Sequence, residues 1–224
     1  LAALASLAMP AAAAAQGETL LAADQRLAAI AEPLQRANAP LCDAAMPLTG
    51  MVLHSADQYP AGTAVFADGP VAIAAVVPGS PAHAAGLVAG DTVVAIAGVA
   101  LAALPAPPDA PLRDAAFALL AQQPPEHPLT FTVRQNGVER QATLTAPPGC
   151  RVLVEVVTRP GWRAISDGRV IQLSRGMLAA LDDGQLAVIF AHELAHLVLR
   201  HRARLEAAGN QGGLARMAEE EADR

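Results

Sequence analysis

Residues 185–204 read as a helix that is apolar over most of its surface, yet His192, Glu193 and His196 sit among Ile189, Phe190, Leu194, Leu197 and Val198. Asp182 or Asp183 caps its start. Polar side chains set into a buried helix are costly unless something satisfies them, so this stretch constrains both the surrounding fold and the chemistry inside it. Positions 192 and 196 are a little more than one turn apart, which puts both imidazoles on one face. Such a pair can share a metal ion at about 2.0–2.1 Å from each nitrogen. Glu193 lies one step round the helix, close to that point without ligating it, where a carboxylate can take a proton from an attacking water. His201 is expected on the opposite side of a continuous helix, at about 100° per residue, in a packing or supporting role.

Upstream, residues 152–157 and 170–173 read as strands joined by a loop with Pro160-Gly161 and Asp167-Gly168, and residues 175–181 as a short helix. Downstream, Glu219-Glu220-Glu221-Ala222-Asp223 offers carboxylates after enough chain for a turn and a returning helix. A metzincin would need Gly at 199 and His at 202, where this chain has Leu199 and Arg202. The combination of HExxH with a later E-x-E-A-D-type helix resembles the CAAX-prenyl-protease, HtpX and BepA-like zinc metallopeptidases, of the gluzincin type. The resemblance implies one Zn2+ per chain held by His192, His196 and Glu219, with Glu221 as the rival carboxylate and Glu193 as catalytic base. It implies that Asp223 accepts from a ligand imidazole. It also implies a further His or Arg, steadying the reacting oxyanion, beyond Arg224. The Asn-Ala pair often seen near that family's substrate strand is replaced by Arg163-Ala164-Ile165-Ser166.

Residues 48–147 have a different texture: short β-like runs punctuated by Gly and Pro. The clearest are residues 71–77, 92–97, 129–134 and 140–145, with residues 113–122 as an intervening helix. Asn136-Gly137 predicts a two-residue hairpin between the last two runs. Ser80 is placed to cap a short helix opened by Pro81, and Gly86 to close it. The run Val76-Val77-Pro78-Gly79-Ser80-Pro81-Ala82-His83-Ala84-Ala85-Gly86-Leu87, followed by Gly90-Asp91-Thr92-Val93, resembles a PDZ domain. PDZ domains bind an extended peptide as an added strand and hold its terminal carboxylate on backbone N–H groups. The resemblance puts that loop at Leu48-Thr49-Gly50-Met51-Val52, with Gly50 allowing close approach and Met51 and Leu53 lining an apolar pocket.

Residues 1–15 are apolar and end in small residues before Gln16, Gly17 and Glu18, which resembles the remnant of a secretory signal peptide. Residues 18–39 carry Leu20, Leu21, Leu27, Ile30 and Leu34 at helical spacing, which predicts an amphipathic helix leading into the first domain and ending near Pro33 or Pro40. Cys42 and Cys150 bracket the PDZ-like stretch and are expected to form a disulfide, in keeping with an exported, periplasmic or secreted bacterial protein. The net charge of −6 comes without a basic cluster and argues against nucleic acid as a partner. The body of the chain has no apolar run long enough to span a membrane.

The expected fold is α+β: a PDZ-type small β-barrel or sandwich with capping helices, then a mainly helical zincin core with a small β element. The expected division is a signal-peptide remnant over residues 1–15, a helix and linker over 16–41, the PDZ domain over 42–150, and a metallopeptidase domain, truncated at its C-terminus, over 151–224. The expected function is zinc-dependent hydrolysis of peptide bonds in envelope or secreted proteins, with protein or peptide substrates recruited or gated by the PDZ module. Two alternatives are a PDZ scaffold or chaperone-like protein with a degenerate metallopeptidase domain, and another zinc hydrolase on the same scaffold.

Overall fold

The computed structural model describes residues 20–105, 107–159, 161–209 and 212–223; the stretch read as a signal-peptide remnant lies outside them. Helix α1 (Leu20–Ala37) comes first. Ala23, Leu27 and Ala31, spaced one turn apart, are completely buried. The helix passes through Pro33, although a proline there cannot donate to the preceding turn. Packing on both sides of that position outweighs the lost bond: Ala31 is buried, and so is Gln35, whose Nε2 donates to the Val152 carbonyl at 3.2 Å.

The first sheet is built from β2 (Met51–Ser55), β3 (Val71–Val76), β4 (Thr92–Ile96), β6 (Pro128–Gln135) and β7 (Val138–Thr145), hydrogen-bonded in that order, with the short β5 (Val99–Ala100) beside β4. Helices α2 (Pro81–Ala84) and α3 (Leu112–Ala121) pack on it. The period-two pattern explains its core. Leu129, Phe131 and Val133 of β6 point inward and are buried, as are Ala142 and Leu144 of β7. Asn136 and Gly137 have φ of 51° and 77°, the pair of positive angles that a tight hairpin turn of this hand requires. Ser80 Oγ accepts the His83 N–H and so caps α2.

This sheet does not close into the barrel expected from the sequence: β2 and β7 are its two free edges. The strands that flank the module, β1 (Ala45–Pro47) and β8 (Pro148–Cys150), pair with each other as a separate antiparallel ribbon instead of bridging those edges. A disulfide joins Cys42 to Cys150 beside this ribbon, with Cα atoms 5.5 Å apart.

The second part is a three-stranded sheet in the order β10 (Ala164–Ser166), β11 (Val170–Ser174), β9 (Leu153–Val157), with β9 parallel and β10 antiparallel to β11. It is followed by helices α4 (Arg175–Ala180), α5 (Asp183–Val198), α6 (His201–Ala207) and α7 (Gly212–Ala222). Asp182 starts α5 with a reciprocal cap: its carboxylate accepts the Gln185 N–H at 2.9 Å, and the Gln185 side chain accepts the Asp182 N–H at 3.1 Å. The second core joins Ile171, Leu173, Leu178, Leu186, Phe190 and Leu194 to Ala23, Leu27 and Ala31 of α1. The first helix among the described residues therefore belongs to the second core. The intervening module leaves that body along β1 and returns to it along β8.

Candidate metal centre

Helix α5 turns Leu186, Phe190 and Leu194 into the core, and this leaves His192 and His196 on its flank, half-buried. Helix α7 returns across α5 and brings Glu219 to both imidazoles. Three donor atoms converge: His192 Nε2 and His196 Nε2 are 3.0 Å apart, and Glu219 Oε2 lies 3.2 Å from the first and 3.5 Å from the second. A tetrahedral ion with arms of about 2.0–2.1 Å has ligand–ligand edges of about 3.3–3.4 Å, so the spacing fits one small cation.

The outer nitrogens decide the tautomers. His192 Nδ1 is 2.9 Å from Asp223 Oδ1, a carboxylate oxygen that can only accept, so the proton sits on Nδ1 and the Nε2 lone pair faces inward. His196 Nδ1 is 2.9 Å from His201 Nδ1, and His201 Nε2 is 3.3 Å from Glu221 Oε2. With Glu221 as the terminal acceptor, His201 donates from Nε2 and accepts at Nδ1, so His196 donates from its own Nδ1. Two lone pairs and a carboxylate oxygen then point at one another with no proton between them, which is the donor set a zinc ion satisfies.

His201 is thus brought back to the site, contrary to the extrapolation from a continuous helix. Helix α5 stops at Val198, and Arg200 takes a left-handed conformation with φ of 54°, so α6 starts in a new direction with His201 buried against His196. No Gly or Pro marks this break in the sequence. Arg204 Nη1 donates to Glu221 at 2.8 Å and holds its carboxyl below the usual range, so the rival carboxylate is turned toward His201 and Arg204. Glu220 is exposed.

Glu193 is buried on the same helix and lines a cleft of about 440 Å³ together with His196, His201, Glu219 and strand β10. Burial pushes its carboxyl pKa up, the His192 imidazole draws it down and the Glu219 carboxylate raises it. Burial also depresses the His196 imidazole, against the pull of Glu219. Strand β10, a three-residue edge formed by Ala164, Ile165 and Ser166, falls where the family resemblance put the substrate strand, although so short a run carries no periodicity of its own.

In the first module, Gly50 has φ of 77°, and a Cβ added there would stand 2.1 Å from the Ser80 Cβ, so only glycine fits. Gly50, Met51 and Leu53 line one cavity of about 90 Å³ with Arg113, Phe117 and Leu120 of α3.

Comparison with known proteins agrees with both halves of this description. Residues 73–135 match the family model of the PDZ domain, and residues 138–219 match that of peptidase family M48. The chain carries a PDZ domain followed by an M48 peptidase domain. The M48 match takes in His192, Glu193, His196 and Glu219, and it opens at Val138, inside strand β7 of the PDZ sheet. Helix α1 lies outside both matches, although it packs in the core of the M48 domain. The chain is also similar to a solved structure of the HtrA-type protease AlgW with a decapeptide, at 18 % identity and a TM-score of 0.36 over 46 % of this chain and 30 % of that one. No curated protein matches the chain. Among the described residues, no helix is long and apolar enough to cross a membrane.

Proposed function

We propose that this chain is a zinc-dependent endopeptidase whose zinc is held by His192, His196 and Glu219. The observation that carries this reading is the convergence of two imidazole lone pairs and one carboxylate oxygen within 4.8 Å, each imidazole steadied from behind. Bound zinc supplies Lewis acidity to a scissile carbonyl and lowers the pKa of a coordinated water.

The protein's own groups do the rest. Glu193 takes a proton from the attacking water and hands it to the leaving amine, a role suited to a carboxyl whose pKa burial has raised. Asp223 and the His201–Glu221 pair keep both imidazoles oriented with their lone pairs inward. Strand β10 is an edge strand beside α5, so a substrate can lie along it in extended form, its backbone paired and its scissile bond over the site.

The PDZ domain recruits or gates protein substrates. The Cys42–Cys150 disulfide favours an oxidising compartment, and the apolar residues 1–15 favour export, so envelope or secreted proteins in the periplasm or outside the cell are the proposed substrates.

The test is zinc content per chain together with casein hydrolysis before and after chelation. One zinc and chelator-sensitive cleavage support the peptidase. Zinc without cleavage favours a PDZ scaffold with a degenerate peptidase domain, and absence of zinc from the purified protein overturns the proposed site.

A further inference from the structure

The PDZ groove is formed by the edge strand β2, the residue 48–51 loop and the face of α3 that presents Arg113, Phe117 and Leu120. Addition of a peptide strand requires the outer side of β2 and the loop to be free. Here they are covered. The roof of the cavity is Ala28, Glu32 and Gln35 of α1 with residues 152–154, all from the body of the M48 domain. About 90 Å³ remains free between this roof and the floor of the groove.

The contacts that hold this roof run from one domain to the other. Leu21 and Ala28 of α1 pack on Val52, Ala74 and Ala75. His54 Nε2 of β2 lies 3.1 Å from Asp24 Oδ2, and Asp24 Oδ1 accepts the Val156 N–H of β9 at 2.8 Å. Gln25 Nε2 donates to the Val76 carbonyl at 3.0 Å. Arg113, which lines the groove, pairs with Glu155 of β9. Over the loop itself stands Glu32: its Oε2 is 3.5 Å from the Cβ position of Gly50, is buried, and has no hydrogen-bond partner among the described residues. A carboxylate thus occupies the neighbourhood where a peptide's own terminal carboxylate would lie.

We propose that the resting occupant of the PDZ groove is the chain's own helix α1, with Glu32 over the Gly50 loop, and that a peptide with an apolar last residue and a free carboxylate competes with it. The apolar contact between the domains is small beside either core. Tethering by the β1–β8 ribbon keeps the partners at an effective concentration of roughly millimolar, so a modest interface suffices to hold the groove shut. Occupancy lowers the apparent peptide affinity by the fraction of time the groove is open. A peptide that wins β2 displaces the Asp24–His54 contact, and Asp24 also holds β9, so binding is felt in the peptidase sheet.

This deepens the gating role above and rests on it for the choice of groove. The test reads binding and domain separation without any cleavage, so loss of activity and loss of this inference are separable. The zinc-loaded full chain and its Ala28→Arg variant, which wedges α1 from the groove, are titrated with a fluorescent pool of decapeptides randomised over apolar last residues, as free acids and as carboxamides. At least ten-fold tighter binding of the acids by the variant, with little binding of the carboxamides, supports the proposal. Equal affinity of the two proteins, equal binding of acids and carboxamides, or binding to neither overturns it. Should the variant fail to fold, dyes on cysteines placed at Val138 and Val188, each 70 % exposed and one in each domain, report on the otherwise unaltered chain. Energy transfer must change at saturating peptide, and an unchanged signal with peptide bound overturns the proposal.

Discussion

The cleft beside β10 and the groove beside β2 are made in the same way, an edge strand flanked by a helix, and they end in opposite states. The first, against α5, is polar and holds about 440 Å³; the second, against α3, is lined mainly by apolar side chains and holds about 90 Å³. Helix α1 makes the difference, because it covers the groove and leaves the cleft alone. Polar groups such as His192, His196 and Glu219 are served by an open site, where solvent meets part of their desolvation cost. An apolar groove gains from being covered, since exposed apolar surface is what water disfavours. Edge strands are reactive toward any passing strand, and a covered one is protected.

Substitutions that act on one site only would sharpen this contrast. The largest effect is expected from Glu193→Gln: zinc content unchanged, with kcat/KM for casein lower by about 10³-fold. Activity retained in that variant would remove Glu193 as base. Glu219→Ala should lose most of its zinc on gel filtration through chelator-treated buffer; full occupancy would move the ligand to Glu221 despite the turn of that side chain toward Arg204. His201→Phe keeps the packing but removes the partner of His196, so zinc affinity in a chelator competition should fall by about 10–100-fold. Unchanged affinity would mean that the His196 orientation is set by its helix alone.

The smallest effect belongs to the covered groove. Burial raises the Glu32 carboxyl pKa above its ordinary 4.5, against a smaller opposing pull from Arg36. The folded state therefore favours the protonated form, and the stability it contributes is present below about 4.5 and is lost as pH rises through the raised value. Thermal melts of wild type and Glu32→Gln should diverge as pH rises from that point, the variant melting higher. Parallel curves would show that Glu32 is solvated and the groove open in solution, which would break the contrast.

The parts of this molecule that were legible in the sequence are those fixed by near neighbours. His192 and His196 share a face through helical spacing alone, and Asn136-Gly137 states its turn chemistry in two residues. The cap by Ser80 and the reciprocal cap by Asp182 are equally local. Glu219 was reachable through family resemblance, because its approach to the imidazoles depends on a helix pair no local rule predicts. His201 was misplaced since a left-handed Arg200, without glycine, redirects the chain. The closed barrel failed for a non-local reason as well: β1 and β8, separated by the whole PDZ module, found each other.

The membership of α1 in the second core also dictates an order of assembly. As the chain emerges from its N-terminal side, Ala23, Leu27 and Ala31 come before their partners Ile171, Leu186 and Phe190, which follow only after the entire PDZ module. Until then the apolar face of this helix has no permanent home, and the contacts that will bury it are among the longest-range in the chain, the kind that form late. The PDZ sheet, built from antiparallel neighbours that all lie between residues 51 and 145, can fold in the meantime and draw residues 42 and 150 together. The M48 domain thus completes its core by having the PDZ module fold first, so a destabilised PDZ domain should leave that core unfinished.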